Sequence, residues 1–163
     1  MDYYELEAGR RLDALVAEKV FDWRWLLHLP RQRIAIFPPV DWEWILWNFN
    51  SSEWKETNNE KDFLLFSDWD RLASPRVEGQ ISFLPYYSSD IDAAWRIDRP
   101  NWRWEFIESE KDLEITLYDC SRAQPPTIIL WSEYASKSKA YAWGRCITAL
   151  KSVAAISGER AGE

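Results

Sequence analysis

Residues 102–117 set the tightest constraint on the fold. In Trp102-Arg103-Trp104-Glu105-Phe106 large aromatics alternate with charged residues, and in Leu113-Glu114-Ile115-Thr116-Leu117 aliphatics alternate with polar ones. A period of two places the apolar side chains of each run on one face of a strand and the polar ones on the other. Ser109–Asp112, a short polar stretch between the runs, has turn composition. The pattern therefore predicts an antiparallel hairpin over 102–107 and 113–118 with one apolar face, Trp104 being buried against Leu113, Ile115 and Leu117. Pro125-Pro126 opens a third strand at 127–131.

Helical spacing supplies the cover for that face. Leu12, Leu15, Val16 and Val20 recur at helical intervals within 5–20. Ser89 with Asp92 resembles a capping box at the start of a helix over 89–98, which Pro100 stops. Tyr134, Tyr141, Ala142, Cys146, Ala149, Leu150 and Val153 mark the buried stripe of a last helix over 133–156. Between the first two helices, Trp23 with Trp25 and Trp42 with Trp44 form two pairs at strand spacing, and Pro38-Pro39 separates the runs Ile34–Phe37 and Trp42–Phe49 as strand, turn, strand. Residues 50–62 are polar and read as a loop, Phe63–Phe66 as a short apolar run, and 67–80 as irregular. Helices packed on antiparallel strands define an α+β class, expected here as one domain over 1–163.

The chain has 163 residues, long enough to bury a core without disulfides. It carries 12 Trp against 5 Gly and 1 Met. So many rings are hard to bury completely in a domain of this size, and some are expected in a pocket or an oligomer interface. A homo-oligomer drawing on the tryptophans of 23–54 follows from this. The net charge of −7 opposes general binding of DNA or RNA. Cys120 and Cys146 show no CxxC pairing and read as free thiols in a reducing compartment. The first residues lack the basic and apolar regions of a signal peptide, and no run is apolar over the roughly 18 residues a bilayer needs, so no membrane partner is expected.

Two blocks resemble the phage ABA sandwich family: Gly9-Arg10-Arg11-Leu12-Asp13-Ala14-Leu15-Val16-Ala17-Glu18-Lys19-Val20 ending at Trp23, and Pro85-Tyr86-Tyr87-Ser88-Ser89-Asp90-Ile91-Asp92-Ala93-Ala94-Trp95, with the hairpin and Gly144–Leu150 downstream. The resemblance implies an α-β-α sandwich with a central, mainly antiparallel sheet, encoded by a phage or prophage and located in the cytoplasm of the bacterial host. Residues 24–80 depart from the family pattern as a Trp-rich insertion. The family brings no catalytic set.

The residues themselves offer no catalytic site. The one histidine, His28, has no Ser or Cys motif to serve, and there is no G-x-S-x-G. Three Cys and His residues, far apart in sequence, do not make a zinc site, and Asp90 and Asp92 complement a helix start. Five unclustered glycines make no phosphate loop, so no metal, no cofactor and no enzymatic activity are expected. Arginines near aromatics remain, among them Arg24, Arg31, Arg33, Arg96, Arg99, Arg103 and Arg122. An arginine fork holds phosphate and a ring stacks on a base. The expected ligand is a small anionic, nucleotide-like molecule at Tyr86, Tyr87, Ser88 and Ser89, where a helix N-terminus offers N–H groups, helped by Arg122 and by Trp23 and Trp25. With the phage resemblance, this suggests a non-enzymatic protein that sequesters a nucleotide-type immune signal. The alternative is an interaction module that inhibits a host protein through an exposed Trp-rich, acidic surface.

Overall fold

The computed structural model describes residues 3–28, 33–38, 61, 63–66, 84–120 and 122–156. The chain forms two compact units, Phe21–Leu84 and the combination of Met1–Val20 with Pro85–Glu163. The expected Trp42–Phe49 strand and the loop at 50–62, apart from Lys61, lie outside the described residues.

The unit spanning Phe21–Leu84 contains an antiparallel sheet of β1 (Arg24–His28), β2 (Arg33–Phe37) and β3 (Phe63–Phe66), with β1 in the middle. Trp25 lies opposite Ile36 on one side and Phe66 on the other. Trp25, Leu26 and Ile36 are buried. β1 is the central strand because apolar residues fill its middle, Trp25-Leu26-Leu27.

The other unit begins with a 3-10 turn at Tyr3–Glu5 and helix α1 (Arg10–Phe21). The first helix is shorter than the periodicity of 5–20 suggests. It starts after Gly9, whose carbonyl accepts the Asp13 N–H. A four-residue helix α2 (Ile91–Ala94) follows, then β4 (Trp102–Glu108), β5 (Asp112–Asp119), the short β6 (Arg122–Ala123), β7 (Thr127–Leu130) and helix α3 (Lys137–Ile156).

All pairings in this second sheet are antiparallel: β5 is flanked by β4 on one side and by β6 and β7 on the other. The hairpin turns where its sequence says it should. Ser109 N–H donates to the Asp112 carbonyl, and the Ser109 hydroxyl accepts from the N–H groups of Lys111 and Asp112.

The apolar face of the sheet packs on α3. Leu113, Ile115, Leu117 and Ile129 are buried, as is Thr127, whose hydroxyl meets that of Thr148 at 2.8 Å. Trp104 departs from its expected burial: it is half-buried, because it sits on the edge strand opposite Leu117. The opposite face carries Arg103, Glu105, Ile107, Ile128 and Leu130, all exposed.

Helix α3 does not show a single buried stripe. Every residue from Ala142 to Leu150 is buried, so the helix is enclosed on all sides. Its Gly144 side touches Ile115 and Ile129 of the sheet. The Trp143 indole N–H donates to the Leu6 carbonyl, and the Cys146 side lies near Asp13 of α1. Helix α3 thus packs on the sheet through β5 and β7, and against the turn at Tyr3–Glu5 and α2 on its other sides. The α+β class and the mainly antiparallel sheet stand.

Candidate functional site

Helix α2 begins two residues later than expected and ends at Ala94, short of the expected 98. Asp90 is the N-cap, its carboxylate accepting the Asp92 N–H at 2.9 Å, and Ser89 lies exposed in the preceding turn. Ser88 turns inward. Its N–H donates to Asp13 Oδ1 at 2.7 Å, and its hydroxyl accepts from Gly9 N–H and donates to the Gly9 carbonyl. The N–H groups of Ser89 and Asp90 both bond the Tyr86 carbonyl.

Of the amides expected to be free here, that of Ser88 is spent on α1 and that of Ser89 on closing the turn itself. Tyr87 is buried, which pushes its hydroxyl up to about 12. Tyr86 is exposed, with the Arg10 guanidinium 4.1 Å from its ring centre. Burial also raises the Asp13 carboxyl, although Ser88 and Arg10 both hold it toward the ionised form. A buried aspartate suits this place because one carboxylate satisfies a buried amide and an arginine together.

Arg122 belongs to a different neighbourhood. It lies on β6, directly opposite Asp119 of β5. With Cys120, Ala123, Gln124 and Ala155 of the last turn of α3, these two residues line an open cavity of about 490 Å³. Arg122 is exposed and has no ion pair among the described residues. Cys120 adopts a positive φ of 48° at the β5–β6 turn, and the Asp119 carboxylate beside it raises its thiol. The volume falls within the range of small-molecule sites. Chemically the cavity offers a fork for one anionic group at Arg122, an acceptor at Asp119, an amide at Gln124 and small apolar walls. Among the described residues, no aromatic ring lines it.

Trp23 and Trp25 lie in the other unit, the first half-buried and the second buried. Within their own unit, Arg122 and residues 86–89 therefore lie in different neighbourhoods. Of the tryptophans expected at an oligomer interface, those after Trp25 lie outside the described residues.

No family model matches the chain, and no curated protein or solved structure matches it either.

The arginine that sequence reasoning passed over is Arg145. It is 2% exposed, and its Nε and one terminal nitrogen donate to the carbonyls of Ala94 and Ile97 at 3.0 and 2.6 Å. The guanidinium lies 4.0 Å from the Trp104 ring centre and 4.5 Å from that of Trp95. Burial pulls its pKa down to about 10. Position 145 shows no polar-face spacing that would expose it on α3; the signal for it is an arginine inside an otherwise apolar helix, which demands a buried partner. Its partners are the carbonyl end of α2, where a cation is favoured, and two ring faces. Arg145 is thus an internal anchor for α2.

Other arginines also have internal uses. Arg99 donates to the carbonyls of Lys19 and Val20, and Arg103 lies 4.4 Å over the Tyr118 ring. His28 lies in β1.

Proposed function

We propose that the chain is a non-enzymatic binding protein that holds a small nucleotide-type ligand in the cavity at Arg122. The observation that carries this reading is the cavity itself: a ligand-sized space with an exposed guanidinium that has no internal partner among the described residues. A single phosphate would take the Arg122 fork. Asp119 and Gln124 would take the N–H donors and acceptors of a base edge, as carboxylates and amides do in base recognition. Asp119 and the carbonyl end of α3 disfavour a ligand with many negative charges, so a nucleotide fits where a polyanion does not.

Binding without turnover is supported by the state of the two thiols. Cys146 is held protonated by burial and Cys120 by its carboxylate neighbour, so neither is an activated nucleophile. The resemblance of the Gly9–Trp23 and Pro85–Trp95 blocks to phage proteins supports a role in sequestering a nucleotide signal inside a bacterial host.

Thermal melting against a panel of mono- and cyclic nucleotides tests the proposal. A ligand at 100 times its dissociation constant raises stability by about 2.7 kcal/mol. The gain should vanish in Arg122→Ala, and denaturing the complex should release the ligand intact. Release of a cleaved product would replace binding by catalysis.

A second reading, an interaction module for a host protein, is favoured by one observation. Ile107, Ile128 and Leu130 are exposed on the outer face of the sheet beside Glu114. It takes precedence if no nucleotide shifts the melt and Ile128→Glu abolishes capture of a host protein.

A further inference from the structure

β4 is an edge strand with open backbone groups. The Asn101 carbonyl accepts from Cys120 N–H, and Ser109 N–H donates to the Asp112 carbonyl, at the two ends of the β4–β5 ladder. In an antiparallel ladder the bonded residues alternate. The odd-numbered residues of β4 therefore bond β5, and Trp102, Trp104, Phe106 and Glu108 turn their N–H and C=O groups outward. Of these amides, Trp102 N–H is committed to the Arg99 carbonyl. Among the described residues, the outward backbone groups of Trp104, Phe106 and Glu108 have no partner. Edge strands that stay single are shielded by proline, bulges or lysine. Residues 102–108 contain no proline or lysine, and their pairing with β5 runs unbroken by a bulge.

We propose that a second copy of this chain pairs with this edge, β4 against β4 in antiparallel fashion, with the two-fold axis at Trp104. The sequence selects the register. A two-fold axis perpendicular to the sheet passes between a residue and its own copy. An axis at Arg103 or Glu105 sets two like charges directly opposite one another, which opposes pairing. An axis at Phe106 sets Trp104 against Glu108 and leaves Glu105 facing Ile107.

Only the axis at Trp104 places Arg103 opposite Glu105 of the second copy, and by symmetry does so twice. It also sets Trp102 against Phe106 of the second copy, again twice, and the two Trp104 residues against each other. The outward groups then match: Trp104 exchanges N–H and C=O with its copy, and Phe106 N–H meets the Trp102 carbonyl. That carbonyl is the open group left on Trp102 once its N–H is spent on Arg99.

The charged side chains are already held on the outer face for this crossing. Arg103 stacks over Tyr118, and the Tyr118 hydroxyl donates to Glu105 at 2.8 Å. The half-buried rings of Trp102, Trp104 and Phe106 would lose their remaining exposure against a second set. The pairing is independent of any ligand at Arg122, because β4 and β6 lie on opposite sides of β5.

Sedimentation or light scattering across a concentration series, with two charge reversals, tests the register. Wild type should dimerise. R103E faces carboxylate with carboxylate at both crossings, and E105R faces guanidinium with guanidinium, so each alone should weaken association by more than about tenfold. Mixed in equal amounts, the two variants oppose carboxylate to guanidinium at both crossings and should form a heterodimer. That recovery shows both variants to be folded. A wild type that stays monomeric at high micromolar concentration, single variants that dimerise like wild type, or a mixture that fails to associate would each overturn the pairing.

Discussion

Gly144 marks where α3 comes closest to the sheet, and replacing it by alanine sets two physical effects against each other. Alanine stabilises a helix interior by about 0.5–1 kcal/mol relative to glycine. A Cβ at position 144, however, would stand 2.2 Å from Ile129 Cδ1 and 2.6 Å from Ile115 Cδ1. Carbon atoms in contact rest about 3.5–4.0 Å apart, so both methyls must retreat by about 1 Å or more. Both belong to buried side chains, 0% and 1% exposed, so the methyls must shift within the packed core. Overpacking of this kind costs about 1–3 kcal/mol. Displacing two opposed side chains at once favours the upper part of that range, so the clash wins.

Gly144→Ala should therefore lower stability by about 1–2 kcal/mol. Urea denaturation reads this directly, and the melting temperature should fall by roughly 2–4 °C per kcal/mol. Ile129→Val supplies the control, because it removes the nearer methyl. Alone it should cost about 0.5–1.5 kcal/mol. Combined with Gly144→Ala it should cost much less, or restore stability, giving a coupling above about 0.5 kcal/mol. A Gly144→Ala variant as stable as wild type, or strictly additive effects, would show that the helix stands further from the sheet.

Three further outcomes follow from the same contacts. Arg145→Lys keeps a cation but loses the fork to the Ala94 and Ile97 carbonyls, and should cost about 2 kcal/mol or more in denaturant, with altered tryptophan emission from Trp95 and Trp104. Asp13 has a raised carboxyl in the folded state, so folding favours its protonated form and its contribution to stability falls as pH rises from about 4 through the folded value. Asp13→Asn should remove that slope, so the stability of the variant minus that of wild type grows over the same interval; an unchanged difference from pH 4 to 7 would mean that the carboxyl titrates normally. Ser88→Ala should cost about 1–2 kcal/mol in thermal or chemical unfolding while leaving nucleotide binding unchanged, the reverse of Arg122→Ala; a loss of binding in Ser88→Ala would return the ligand to the start of α2.

The hairpin was legible because two independent signals agree on it. Alternation fixed which residues share a face, and Ser109–Asp112 fixed where the chain turns, so β4 and β5 lie within a residue or two of their expected bounds. Burial of Trp104 was less legible, because alternation gives the face of a strand and says nothing of whether that strand is central or at an edge. The setting of residues 86–89 was hard to read for a related reason. Ser88 and Ser89 carry hydroxyls before a helix, a pattern common to caps, anion cradles and buried turns. What decides among them is Asp13, 75 positions away in sequence and linked to Ser88 only in the fold. Arg122 was named for its chemistry, yet its setting comes from a two-residue strand too short to leave a periodic signal. Arg145 went unread because a helical stripe analysis assigns charged residues to the solvated face. A helix enclosed on all sides has no such face.

The aromatic rings of β4 and Trp95 follow from the same packing. α3 approaches the sheet over β5 and β7, where Gly144 and Thr148 permit near contact of backbone and side-chain ends. The inner face of β4 is filled by long side chains instead. Trp104 stacks with Phe106, Trp102 meets Trp104 edge-on, and Tyr141 and Trp95 close on Phe106. Arg145 lies within this group, against Trp95 and Trp104, and fastens the carbonyl end of α2. A four-residue helix does not persist on its own, so α2 exists because the buried guanidinium and the rings hold it. Small residues on the enclosed helix and large ones on the edge strand are two halves of one packing solution. What remains is an edge whose rings are only half covered and whose outward amides beyond Trp102 stay open among the described residues, and that is the edge from which a second copy of the chain can complete the sheet.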